Sequence, residues 1–192
     1  MATLAILDLR VPTTAWNAVG FPLGMWRLGD TCVSIGDSHG QASVTAAVTG
    51  LRGNAEIRHL QPTSDVPSCV ASREDMGLEA VDHLMVRTTE AESTLHSLAG
   101  ALGVDVSVDA NGERSVWIGS VRVDMVSTPD LSVSAEVWGV AFRVANIDVW
   151  LGRLGSDVLG TPKPARQQGQ RVSVFRSSAG LGIPTALIDL RG

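Results

Sequence analysis

Apolar and polar positions alternate in three stretches of the chain, and the three resemble one another. They are Leu4-Ala5-Ile6-Leu7-Asp8-Leu9-Arg10-Val11, Val81-Asp82-His83-Leu84-Met85-Val86-Arg87-Thr88 and Val137-Trp138-Gly139-Val140-Ala141-Phe142-Arg143-Val144. A two-residue period is the mark of a half-buried strand. Each stretch ends in Arg plus a small residue and leads into a short helical pattern, a glycine and further strands. A supersecondary unit used repeatedly decides the fold before any single residue does.

In the first copy, Leu7, Leu9 and Val11 share one strand face and Ile6, Asp8 and Arg10 the other. Pro12-Thr13-Thr14 starts a helix over Ala15–Val19, closed at Gly20. Met25–Leu28 and Asp30–Ile35 predict a hairpin around Gly29, Gly36–Gly40 a turn, Ala42–Leu51 a strand and Glu56–Leu60 a further short one. In the second copy, Val81–Arg87 is a strand. Thr88 or Thr89 then caps a helix over Glu90–Leu102 that presents Leu95, Leu98, Ala99 and Leu102 on one face. Gly103 closes that helix, and Val104–Val108, Ser115–Ile118 and Ser120–Ser127 follow as strands. The third copy repeats the order: Trp138–Val144, a helix over Ile147–Leu154 capped by Asn146, then strands at Asp157–Leu159, Gln170–Arg176 and Pro184–Leu190. The predicted class is α+β, with tandem βαβββ modules forming curled mixed sheets around a cavity and an additional N-terminal half-module.

Pro62–Gly77 has no period and shifts in composition, which predicts a linker. The expected organisation is residues 1–61 as a βαβββ-like half-module, 62–77 as linker, and 78–192 as a two-module domain made of 78–130 and 136–192. With 192 residues, 44% hydrophobic and 18% charged, the chain has material for a sizeable core. A net charge of −5 argues against a nucleic-acid or anionic-membrane partner. The sequence has no apolar run of membrane-spanning length and no secretory pattern at its N-terminus. Cys32 and Cys69 lack metal-type spacing. A chain of this size does not need a disulfide, although the pair leaves one open, and the default setting is the reducing cytoplasm.

The strand openings Asp82-His83-Leu84 and Trp138-Gly139-Val140-Ala141-Phe142-Arg143-Val144, with a closing Leu181-Gly182-Ile183-Pro184-Thr185-Ala186-Leu187-Ile188, resemble the vicinal oxygen chelate superfamily. Its members include glyoxalase I, extradiol dioxygenases and bleomycin-resistance proteins. The resemblance covers Glu79–Leu190 as a two-module domain and Leu4–Gly36 more faintly. It implies a half-open barrel whose cavity holds a divalent metal. In that family the metal is bound by His and then Glu from the first and last strands of each module, and it acts as a Lewis acid on vicinal substrate oxygens.

Carried onto this chain, the family ligand positions of the second copy fall on His83 and Asp124. Strand alternation puts His83, Met85 and Arg87 on the cavity side, with Arg122, Asp124 and Val126 beside them. Asp is one methylene shorter than the family's Glu. The third copy has Gly139 at the histidine position and Leu187, or with a two-residue shift Asp189, at the acid position. The implied metal set is therefore His83, Asp124 and at most Asp189, where a catalytic ion normally takes three protein ligands. The plainer readings make His83 a satisfied, hydrogen-bonded residue beside Asp82, or pair it with Asp124 as polar packing or acid/base machinery.

Arg87 and Arg143 sit near the cavity-side strand ends. They suit a carboxylate or phosphate, or equally a rim ion pair, and Arg10 recurs where no pocket is needed. Trp117 and Trp138 would stack on a planar ligand or pack in the core. Trp16 and Trp150 occupy matching helices and read as helix-on-sheet packing. The Thr161–Arg171 loop, with Lys163, Arg166 and Arg171, reads as a solvated loop or an anion-attracting lid.

Three functions compete at this point. One is a glyoxalase-like small-molecule-binding protein with an incomplete metal set. Another is a lyase, isomerase or dioxygenase using His83 and Asp124. The third is a non-catalytic sequestering or dimer-forming module. The expected partners are a small molecule and a second copy in a homodimer.

Overall fold

A computed structural model describes residues 2–39, 41–52, 57–65, 68–71 and 77–190. Gly40 of the expected turn, the start of the expected strand at Glu56–Leu60 and parts of the expected linker lie outside the described residues.

The C-terminal part follows the predicted repeat. Its first module is β7 (Leu78–Thr88), α2 (Ala91–Leu102), β8 (Ser107–Val108), β9 (Arg114–Ile118) and β10 (Val121–Ser127). The second is β11 (Ala135–Val144), α3 (Ile147–Leu154), β12 (Lys163–Pro164), β13 (Arg171–Val174) and β14 (Thr185–Asp189). They form one eight-stranded sheet ordered β12-β13-β14-β11-β7-β10-β9-β8. The two opening strands, β7 and β11, pair antiparallel at its centre, and each is flanked by the parallel closing strand of its own module.

The N-terminal part has β1 (Thr3–Val11), α1 (Thr13–Ala18), β2 (Gly24–Leu28), β3 (Thr31–Asp37), β4 (Ser43–Thr49), β5 (Leu60–Pro62) and β6 (Val70–Ala71). Its six strands are ordered β5-β4-β1-β3-β2-β6. β1 pairs parallel with β3 and antiparallel with β4, and β4 pairs parallel with β5. This is the central pattern of the larger sheet in a trimmed form. Two short strands come from beyond the expected half-module's main elements: β5 ends at Pro62 and β6 lies within the expected linker.

One core joins both sheets. Leu84, Val86, Leu95, Leu98, Val116, Ile118, Val121 and Val123 pack between the large sheet and α2, continuous with Leu4, Leu7 and Leu9 of β1. Phe21 is the keystone. Its ring lies 4.7 Å from Trp16, 5.0 Å from Phe142 and 5.5 Å from Trp150, centroid to centroid. Trp16 donates its indole N–H to the Leu181 carbonyl at 2.9 Å, so the buried polar edge is satisfied. The expected helix-on-sheet role of Trp16 and Trp150 is what the packing shows.

Several expectations are corrected in detail. Cys32 and Cys69 form a disulfide, which ties β3 to the segment before β6. Val104 does not open a strand, because its N–H closes α2 onto the Ala99 carbonyl at 3.1 Å. Asp157–Leu159 makes only a single bridge, from Leu159 to Phe175, and the edge strand is β12 instead. Thr88 serves α2 by accepting the Glu90 N–H at 3.1 Å, while Glu90 occupies the cap position. Asn146 caps α3 as predicted, accepting the Asp148 N–H at 2.9 Å.

Candidate ligand site on the helix-free face

The large sheet turns one face to the helices and the main core. His83 lies on the other face. There Ala141, Ala186 and Ile188 form a small separate apolar cluster. Parallel pairing sets Arg122 opposite His83 and Asp124 opposite Met85, so these four side chains share that face. Arg122 donates to Asp124 at 2.8 Å, and His83 Nε2 stands 3.9 Å from the same Asp124 oxygen. Trp117, opposite Arg122 on β9, borders a cavity of about 230 Å³ with Arg122, Asp124 and Arg166. Arg166 comes from the loop expected to be a lid or a solvated strap. It reaches Glu113 at 3.3 Å and so bridges the two modules over this cavity.

Simple alternation would send Asp82 to the core. A bulge prevents that. On β11 the register steps from Ala141 to Phe142, while on β7 it steps from His83 to Val81, leaving Asp82 as the extra residue. Asp82 is thereby re-aimed: it faces His83 Nδ1 at 3.2 Å and accepts from Arg143 at 2.6 and 3.0 Å. Burial acts to raise the Asp82 pKa. Its hydrogen bonds from His83 and Arg143 act the other way and prevail, so its carboxyl lies below the usual aspartate value. The result is a chain of charge running Arg143, Asp82, His83, Asp124, Arg122, with an imidazole between two carboxylates that each hold a guanidinium. The expected contact of His83 with its neighbour Asp82 is present. What residue patterning missed is the Arg143 that holds the same carboxylate.

A second bulge lies at the equivalent place in β11. There Val137 pairs with Val86 and Gly139 with Met85, so Trp138 is the extra residue. In the repeat, Trp138 matches Asp82 and Arg87 matches Arg143. The contacts match too: Arg87 lies over the Trp138 ring at 5.8 Å, as Arg143 meets Asp82. Arg87 also pairs with Glu136, its Nε at 2.5 Å. Both arginines are therefore held in ion pairs, as is Arg10, which bonds Asp8 at 2.9 Å.

Asp189 stands elsewhere. Fully buried at the end of β14, it accepts the Ile147 N–H at 2.8 Å and two hydrogen bonds from Arg171. Alternation turns it away from the face carrying Ala186 and Ile188. The strand position that matches Asp124 is Ala186, since Ala186 pairs with Ala141 as Asp124 pairs with Met85.

No family model matches the sequence, and no curated protein matches it. Solved structures do. Methylmalonyl-CoA epimerase from Mycobacterium tuberculosis superposes with a TM-score of 0.50 at 15% identity, covering 63% of this chain and 94% of that one. A xylose isomerase-like TIM barrel/4-hydroxyphenylpyruvate dioxygenase fusion protein superposes with a TM-score of 0.60 at 12% identity, covering 99% of this chain and 49% of its own length. At these identities the likeness defines the fold alone. The chain shares the fold of these proteins, built from βαβββ modules whose sheets do not close into a barrel.

The resemblance noted in the sequence implies a divalent metal, and the donors here do not suit one. Both Asp82 oxygens are engaged by Arg143 and His83, and Asp124 holds Arg122. The mirrored positions, Gly139 and Ala186, have no donor atoms. A Cβ added at Gly139 would lie 2.7 Å from Met85 Cε and 2.7 Å from the Pro184 carbonyl oxygen, so the space for a ligand side chain is filled. Among the described residues no group of three or more His, Cys, Asp or Glu could hold an ion. No helix among them is long and apolar enough to cross a membrane.

Proposed function

We propose that this chain is a glyoxalase-like protein that binds a small organic molecule without a metal. The ligand sits on the helix-free face of the large sheet, against Trp117, Arg122 and Asp124, with His83 beneath. The observation that carries this reading is Gly139, backed by Met85 and Pro184 where a vicinal oxygen chelate enzyme needs its second histidine. Two donors, His83 and Asp124, fall short of the three that hold a catalytic ion. Metal analysis of protein purified without chelator, beside a thermal-shift screen of dicarbonyl and aromatic compounds, tests it. The expected result is no stoichiometric metal and ligand shifts that vanish in Asp124→Ala. A divalent ion retained at one per chain and lost in His83→Ala would overturn it.

A second reading keeps the same face and adds chemistry. Asp82 orients His83 through Nδ1 and leaves Nε2 turned to the cavity side, the arrangement of a positioned acid or base. This supports a lyase or isomerase in which His83 moves the proton and Arg122 steadies the developing anion. Turnover of any screened ligand that disappears in His83→Gln while binding persists separates this reading from simple sequestration.

The domain division into 1–61, 62–77 and 78–192 and the homodimer belong to this proposal, and sizing of the full chain checks the latter. Cytoplasmic residence meets a counter-argument in the Cys32–Cys69 disulfide, since such bonds persist mainly in oxidising compartments.

A further inference from the structure

A second cavity, of about 480 Å³, opens where the N-terminal sheet meets the beginning of β11. That size suits a small-molecule site, which typically spans about 300–1,000 Å³. Its polar wall is Arg58, His59, Arg87 and Glu136, and its apolar wall includes Trp138 and Ile183. It is distinct from the cavity beside Asp124, with which it shares no lining residue.

Arg58 and His59 are clamped between the two sheets. The Arg58 N–H donates to the Ala135 carbonyl at 2.8 Å, and its own carbonyl accepts the Val137 N–H at 3.0 Å. The His59 carbonyl accepts the Ala46 N–H at 2.7 Å. Bridging both sheets forces His59 to φ 67°, and it is the one non-glycine among the described residues with positive φ. A residue with a Cβ is sterically strained there. Strain of this kind persists where surrounding structure over-determines it, and it concentrates at ligand sites.

The charges of this cavity do not cancel. Glu136 is committed to Arg87, and Arg58 stands 4.0 Å from its other oxygen with a side chain 58% exposed. Burial lowers the His59 pKa and the neighbouring Arg58 lowers it further, against a smaller opposing pull from Glu136. Both effects favour the neutral imidazole, which is available as a hydrogen-bond partner. Two guanidiniums against one carboxylate leave one positive charge in a half-enclosed cleft beside an indole.

We propose that this cleft is a second binding site, specific for a planar monoanion of the aryl carboxylate class. Arg58 takes the carboxylate, His59 adds a hydrogen bond, and the ring lies along Trp138 and Ile183. The Arg87–Glu136 pair is the fixed wall that orients Trp138 through the guanidinium over its ring.

Benzoate is the probe, with benzamide as its neutral counterpart, followed by the indole N–H resonances of ¹⁵N-labelled full-length protein. Trp138 is assigned by the peak missing in Trp138→Phe. The expected result is a saturable shift of the Trp138 peak with benzoate and none with benzamide. Arg58→Glu should abolish it, and Arg58→Lys, which keeps the charge but not the bidentate fork, should weaken affinity by about tenfold. Arg58 is exposed, so these variants keep the wild-type melting temperature. Benzoate binding that survives Arg58→Glu, an equal response to benzamide, or no response to benzoate at all overturns the proposal. Loss of benzoate binding in His83→Ala with Arg58→Glu unaffected also overturns it, by assigning the ligand to the helix-free face.

Discussion

Gly139→Ala probes the centre of the large sheet with a single carbon. Gly139 sits on β11 opposite Met85, and the added Cβ meets Met85 Cε at 2.7 Å, the Pro184 carbonyl oxygen at 2.7 Å and Pro184 Cβ at 3.0 Å. The methionine end can swing aside. The carbonyl cannot, because it accepts the Val140 N–H at 3.1 Å where β14 begins to pair with β11. Ala restricts the unfolded chain and so favours folding by about 0.4–1 kcal/mol. Overpacking against a fixed backbone costs about 1–3 kcal/mol and wins. The expected net loss of about 1–2 kcal/mol lowers the melting temperature by about 2–8 °C for a chain of this length. Met85→Ala/Gly139→Ala should recover only part of it, since the carbonyl contact remains. Gly100 in α2 and Gly152 in α3 have nothing within 4 Å of an added Cβ. Gly100→Ala and Gly152→Ala should therefore each gain about 0.5–1 kcal/mol. The assay is thermal unfolding followed by circular dichroism. A Gly139→Ala protein melting at or above wild type refutes the claim that this position is sterically closed.

Asp189→Ala removes the acceptor of the Ile147 N–H and of Arg171. Because Asp189 is wholly buried, urea unfolding should register a loss of about 3 kcal/mol; under 1 kcal/mol would make the network incidental. Reducing Cys32–Cys69 opens a loop with a sequence separation of 37, which in the chain-entropy picture costs about 3–4 kcal/mol. Melting with and without a phosphine reductant measures it, and Cys32→Ser/Cys69→Ser should be insensitive to the reductant. The Asp82 pKa is lowered on folding, so its contribution is present above the unfolded value near 4 and is lost as pH falls through the folded value. An acid titration of melting temperature should fall less steeply below about pH 4 in Asp82→Asn than in wild type; superimposable acid limbs would contradict the ion pair with Arg143.

The repeat was legible because period-two strands and capped helices leave strong local marks. β7, α2, β11 and α3 fall where patterning puts them, and His83, Arg122 and Asp124 share a face as alternation requires. What patterning missed has common physical roots. β6 and β12 are two residues long and too short to show a period. A bulge adds one residue to a strand and breaks the parity on which alternation depends, which is why Asp82 was assigned to no site. Asp189 is tied to the start of α3 by a contact 42 residues away in sequence. Arg58 and His59 lie in an irregular segment whose backbone is fixed by two sheets at once, and nothing local announces that.

The matched bulges give the fold a pair of interchangeable sockets. Residues 82 and 138 each stand outside the hydrogen-bond ladder, at the same step of the repeat and facing the terminal arginine of the neighbouring strand. A residue in such a place is free to change without disturbing its neighbours' register. One socket holds an acid and makes a charge relay, and the other holds an indole and makes an aromatic wall. The repeat thus supplies one piece of backbone geometry twice, and a single side chain at each copy sets the chemistry that grows around it.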